Sequence, residues 1–159
     1  MRISRLLLLA ITTVTMQAQG QSASSKPVPL GQFRDLTWLI GRWRSSSRWS
    51  PAFYEQYRFR DDSTIALTAY TDSTFQSETA DSSIIEWRGG QVRSRTPRLT
   101  NEVIEFVPGR IRFRRVGAVD GGHCFSSVAA DEWTVTIFPR GASTDTTVFQ
   151  MRRVPEPGH

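Results

Sequence analysis

The sequence predicts an all-β protein, an antiparallel meander of about eight to ten strands closed into a barrel behind one short N-terminal helix. Three observations predict it. From Arg42 onward apolar residues recur with period two, and no long stretch carries a period near 3.6. Glycine-bearing joints such as Gly89-Gly90, Pro108-Gly109 and Asp120-Gly121-Gly122 separate these runs at hairpin spacing. A meander of that many strands removes its exposed edges by closing on itself.

The chain opens differently. Arg2 and Arg5 precede the apolar run Leu6 to Ile11, and small residues at Ala18 and Gly20 follow, so residues 1–20 read as a secretory signal. A membrane-spanning helix needs about 20 apolar residues, and Thr12, Thr13, Thr15 and Gln17 interrupt the run. The first cysteine lies far downstream, which excludes a lipidated anchor. Residues 21–32, rich in serine with Pro27 and Pro29, read as a flexible leader, residues 33–155 as the barrel and 156–159 as a disordered tail. The expected location is periplasmic or secreted.

Phe33 to Ile40 has helical spacing and stops at Gly41, with Leu36, Leu39 and Ile40 on one face. Strands are predicted at Arg42 to Arg48, Ala52 to Arg60, Thr64 to Tyr70, Glu78 to Arg88, Gln91 to Arg95, Glu102 to Val107, Arg110 to Val116, Cys124 to Ala129, Glu132 to Phe138 and Thr146 to Val154. Alternation puts Phe53, Glu55, Tyr57 and Phe59 on one side, with Ile65 and Leu67, Ile85 and Trp87, Ile104 and Phe106, Ile111 and Phe113, and Trp133 and Val135 on equivalent sides. Arginines dominate the opposite side, as a solvated barrel exterior requires. Cys124 is the sole cysteine, so no internal disulfide holds the fold.

The net charge is +5, of which Arg2 and Arg5 of the signal supply two. That is a mild excess. Arg93, Arg95 and Arg98 with Arg110, Arg112, Arg114 and Arg115 form the densest basic cluster, a pattern able to hold anionic surfaces. Secretion argues against nucleic acid, and Glu102 and Glu105 stand ready to pair with these arginines across a hairpin. Glu55, on the apparent inward face, requires an arginine or tyrosine partner, with Arg95 or Arg44 available from a neighbouring strand. It is either a structural ion pair or a ligand contact. His123 and Cys124 adjoin in a predicted hairpin loop; an imidazolium beside a thiol can activate it, but a metal site needs further ligands and the only other histidine is His159. A loop histidine beside a partly buried thiol is the plainer reading. No Ser-His-Asp set, phosphate loop or HExxH motif occurs, so catalysis has no named actors, although Glu55 is the one residue placed to act as a general base.

Leu36-x-Trp38-Leu39-x-Gly41-x-Trp43, then Tyr54-Glu55-x-Tyr57-x-Phe59, and Met151-Arg152-Arg153-Val154 at the end resemble the lipocalin-like (calycin) bacterial domains of unknown function that open with a WLxGxW signature, and distantly the haem-binding nitrobindins. The resemblance implies a barrel with a side-chain-lined cavity for something apolar or planar. Nitrobindins would add haem on a histidine, but Thr146 stands at that position here, so no cofactor is expected. Trp43, Tyr57, Tyr70 and Trp87 are either solid core or cavity lining, and the resemblance tilts the choice to lining. The expectation is therefore a non-catalytic binder of a small apolar ligand, with Trp43, Glu55, Tyr57, Tyr70, Trp87 and Arg95 as contacts. The alternative is a cavity-less barrel acting as an envelope interaction module through its outer arginines.

Overall fold

The computed structural model describes residues 26–48, 50–141, 143 and 145–155. The predicted signal, residues 21–25 of the predicted leader and the predicted tail 156–159 lie outside the described residues. Ten antiparallel strands form a closed barrel: β1 (Gly41–Ser46), β2 (Tyr54–Asp61), β3 (Thr64–Tyr70), β4 (Glu78–Arg88), β5 (Gln91–Arg95), β6 (Thr100–Val107), β7 (Arg110–Arg115), β8 (Gly122–Ala129), β9 (Glu132–Phe138) and β10 (Thr147–Arg153). Each strand pairs with its sequence neighbour, and β1 pairs with β10 to close the ring.

One end of the barrel is plugged. The predicted helix over residues 33–40 divides into α1 (Leu30–Arg34) and a 3₁₀ turn (Leu36–Leu39) that meet at Asp35. With about three residues per turn, a 3₁₀ turn eclipses side chains three apart, so Leu36 and Leu39 both point into the barrel. The plug also starts earlier than the leader reading places it. Val28 is buried, its N–H donates to the Gly90 carbonyl at 2.8 Å, and its own carbonyl accepts the Trp87 indole N–H at 2.7 Å. Residues 26–32 are thereby tied across the β4–β5 hairpin instead of hanging free.

Closure rests on Trp43. Its indole N–H donates to the Leu39 carbonyl at 2.7 Å, its ring meets Trp133 edge-on at 5.7 Å, and the Arg153 guanidinium lies 4.3 Å over its face. Arg153 also donates to the carbonyls of Ile40 at 2.8 Å and Ala130 at 3.3 Å. To get there it crosses Gly41, where φ is +134° and a Cβ would collide with the guanidinium. The glycine is needed for both reasons.

The faces largely follow the alternation, interrupted by four shifts of register. A bulge between Val103 and Glu105 brings Asn101 and Val103 inside in phase with Phe106, so Ile104 does not share the Phe106 face as uninterrupted alternation predicts. Further register shifts fall between Thr68 and Tyr70 in β3, between Phe59 and Asp61 in β2 and between Ser127 and Ala129 in β8. The exterior is a ladder of ion pairs: Arg110 with Glu105 at 3.5 Å, Arg114 with Glu102 at 3.3 Å, and Glu86, buried beneath Arg88 and Arg95, with each of them at 3.0 Å.

Gly41→Ala is expected to destabilise the protein by about 2 kcal/mol through the left-handed φ and the collision with Arg153. Part of that loss should vanish in the Arg153→Ala background, because the collision is then absent. A denaturant double-mutant cycle measures it, and strictly additive effects would contradict the packing described.

Candidate functional site

The interior has two unlike halves. Toward the plug it is solid: Trp133 sits edge-on to Trp38, Trp43, Tyr57 and Phe125 with ring centroids 5.2 to 6.2 Å apart, and Trp43, Tyr57, Phe113 and Trp133 are essentially without solvent contact. Toward the other end, where β1 finishes and β2 begins, the interior positions are only partly covered. Phe53 and Phe149, with rings 5.3 Å apart, and Thr147 are half-buried, while Ile137 is 40% exposed although it shares the inward face with Phe113 and His123. This end is the barrel's mouth.

Glu55 faces the mouth one interior step beyond Tyr57. It is half-buried, and the Tyr57 hydroxyl donates to its Oε2 at 2.9 Å. Burial raises its carboxyl from 4.5 to about 7, although the Tyr57 hydrogen bond pulls the other way. Burial also pushes the Tyr57 hydroxyl well above its ordinary range, with the Glu55 charge adding to it. The carboxyl therefore changes charge near neutrality while reaching partial solvent. Such a group can bind a ligand proton or exchange one.

His123 is the residue that sequence reasoning misplaced. β8 begins at Gly122, so His123 is a strand residue that points inward, stacked on Phe113 at 4.9 Å and tilted against Phe125 at 5.0 Å. Burial lowers its imidazole from 6.5 to about 4, which keeps it neutral at pH 7. The period-two relation of His123 to Phe125 was a usable signal, and the Gly-Gly before it obscured where the strand starts. Cys124 is buried on the opposite face beside Ser126, so the two residues do not act as a pair. Ser94 and Asn101, cross-strand neighbours on the interior face of β5 and β6, were also missed, Asn101 because the downstream bulge resets its phase.

The remaining predicted contacts are scattered. Trp43 and Tyr57 belong to the solid half. Trp87 is at the plugged end, committed to the Val28 carbonyl. Tyr70 lies outside the barrel: it pairs in register with Tyr54, donates to Gln56 Oε1 at 3.2 Å and packs against Phe75 of the following loop. Arg95 is on the outer face with Glu86, and Arg44 is exposed, so neither reaches Glu55. The required partner is the tyrosine. Among the described residues no group of three or more histidine, cysteine or carboxylate side chains is arranged to hold a metal, and no helix is long and apolar enough to cross a membrane. The surface carries outer hollows, among them one of about 510 Å³ beside the mouth along Ser46, Val148 and Gln150 and one of about 240 Å³ at the plug between Trp38 and Phe106.

No family model matches the chain and no curated protein matches it. Among solved structures it is similar to a redesigned β-barrel, with 9% identity and a TM-score of 0.36 over 77% of this chain and 96% of that one.

The two interior titrating groups act on stability in opposite directions. Glu55 binds its proton more tightly when folded, so its contribution is whole below about pH 4.5 and is lost as pH rises to about 7. His123 binds its proton less tightly when folded, so its contribution is whole above about pH 6.5 and is lost as pH falls toward 4. Between about pH 4.5 and 6.5 the slopes oppose. Urea unfolding across that window should give a shallow profile for the native protein, a stability that rises with pH in Glu55→Gln, and one that falls with pH in His123→Phe. Three parallel profiles would refute the assignment.

Proposed function

We propose that the protein is a secreted or periplasmic, non-catalytic binder of a small, mainly apolar molecule that enters through the mouth of the barrel. The observation that carries this reading is the half-exposed apolar rim of Phe53, Phe149 and Ile137 above a floor of closely packed aromatics, because a pocket takes a ligand where apolar surface is left uncovered inside a concavity. The resemblance to lipocalin-like domains supports it. The ligand contacts shift from those expected of the sequence: Glu55 stays, with Phe53, Phe149, Ile137 and His123 joining it, while Trp43 and Tyr57 form the floor. Outer arginines support an envelope module less well, since Arg110, Arg114, Arg88 and Arg95 already face carboxylates.

One observation favours a second reading, a proton-transfer enzyme with Glu55 as base: its carboxyl titrates at about 7 and is partly open to solvent. A binder returns its ligand unchanged, and recovery of chemically altered ligand after incubation would decide for the enzyme.

Titration with N-phenyl-1-naphthylamine should give saturable, blue-shifted fluorescence. Ile137→Arg places a charge at the rim and should weaken that binding by at least about tenfold at unchanged thermal stability, equivalent to about 1.4 kcal/mol. Equal binding by the variant would sink the mouth as the site. Export is tested separately: protein recovered from the periplasm or medium should begin near Gln19 or Gln21, and an intact Met1 terminus there would overturn the signal reading.

A further inference from the structure

The mouth has two chemically different walls. Phe53, Phe149 and Ile137 make one of them apolar. The other, formed by β5, β6 and β8, carries Ser94, Asn101 and His123 on the same interior face. Ser94 is 7% and Asn101 4% exposed, yet neither side chain, nor the His123 ring, hydrogen-bonds to another described residue. Deeper in, the Trp133 indole N–H is buried and also without a partner. Of these four groups the Trp133 N–H alone is shut off from solvent, where an unpaired polar group costs about 1–3 kcal/mol. The polar atoms of Ser94, Asn101 and His123 keep contact with solvent at the mouth, so a ligand seated there displaces water and meets their free hydrogen-bonding capacity.

The groups also define what that ligand is. Asn101 and Ser94 each donate and accept, and a neutral imidazole has one donor and one acceptor. None carries a charge. Among the described residues on the interior face, the charged groups near the mouth are Glu55 on the facing wall and Arg115, which neighbours Asn101 in register but is exposed at the rim. An anion inside would meet Glu55 and lose its hydration with no interior cation to replace it. A cation would find only Glu55, whose Oε2 already accepts from Tyr57 and whose carboxyl burial holds protonated up to about pH 7.

Building on the reading of the mouth as a ligand site, we propose that the ligand's polar end is uncharged and both donates and accepts hydrogen bonds, as a carboxamide does. Ser94, Asn101 and His123 bind that end, and the ligand's apolar body lies against Phe53, Phe149 and Ile137. These three polar residues set specificity, and the apolar wall supplies most of the affinity.

The test compares three probes on one ring system, naphthalene-1-acetamide, naphthalene-1-acetate and 2-(naphthalen-1-yl)ethylamine, by isothermal titration at about pH 6, where the Glu55 carboxyl is mainly protonated and the acid and amine probes are charged. The amide should bind at least about tenfold more tightly than the acid or the amine. Asn101→Leu preserves volume and should remove about tenfold of the amide's affinity while leaving N-phenyl-1-naphthylamine binding unchanged; Ser94→Ala serves the same purpose if the leucine variant fails to fold. Equal or tighter binding of the acid or the amine overturns the proposal, as does an amide affinity that neither variant changes. If none of the three binds but N-phenyl-1-naphthylamine does, the neutral-group proposal falls and the mouth reading stands. If the naphthylamine fails too, both fall.

Discussion

The clasp at Trp43 is the interaction on which the rest of the structure depends. A barrel of ten strands exists only if its first and last strands meet, and that pairing, β1 with β10, is the one no hairpin enforces. Trp43 closes it from the inside. Its N–H holds the plug through Leu39, its edge meets Trp133 of β9, and its face carries Arg153 of β10. Four segments are joined by one side chain, through a hydrogen bond that burial strengthens and a cation–π contact with an arginine that stays exposed to solvent. Gly41 is the backbone condition for the clasp, since any side chain there would stand where Arg153 must pass.

From this clasp follows the division of the interior. The large aromatics gather where β1, β9 and the plug converge, and they fill that half of the barrel. Their volume is spent there, so smaller and polar residues, Ser45, Ser83, Ser94 and Asn101, line the interior nearer the mouth. A carboxyl and an imidazole are held in that half by burial, each displaced from its ordinary titration range in the direction that disfavours charge. The low charge of the mouth below about pH 7 is thus a consequence of where the aromatics are packed.

The exterior obeys a different rule. Phe75, at a φ of +55°, folds the loop after β3 back on Tyr54, Tyr70 and Arg42 and buries an aromatic cluster outside the barrel. Arginines elsewhere lie along the strands beside glutamates or over Phe138. Such pairs are partly solvated, and each contributes at most about 1 kcal/mol. Their effect is to cover sheet surface with the aliphatic part of the arginine chain.

The sequence by itself determined the class of the fold and the order and approximate bounds of all ten strands, because period-two alternation and glycine joints are local properties that each strand carries alone. It also determined that Glu55 lies inside with Tyr57, since two residues apart on one strand share a face. What only the tertiary structure decided was phase and depth. A one-residue bulge in β6 turned Asn101 inward, a strand start two residues earlier made His123 an interior group, and Arg95 and Tyr70 went to the exterior with partners on neighbouring strands. Depth was equally hidden: nothing local distinguishes an inward tryptophan at the floor from one at a rim. Alternation tells which side a residue faces, whereas register between strands and the packing of the plug set how far along the barrel it sits and what it meets there.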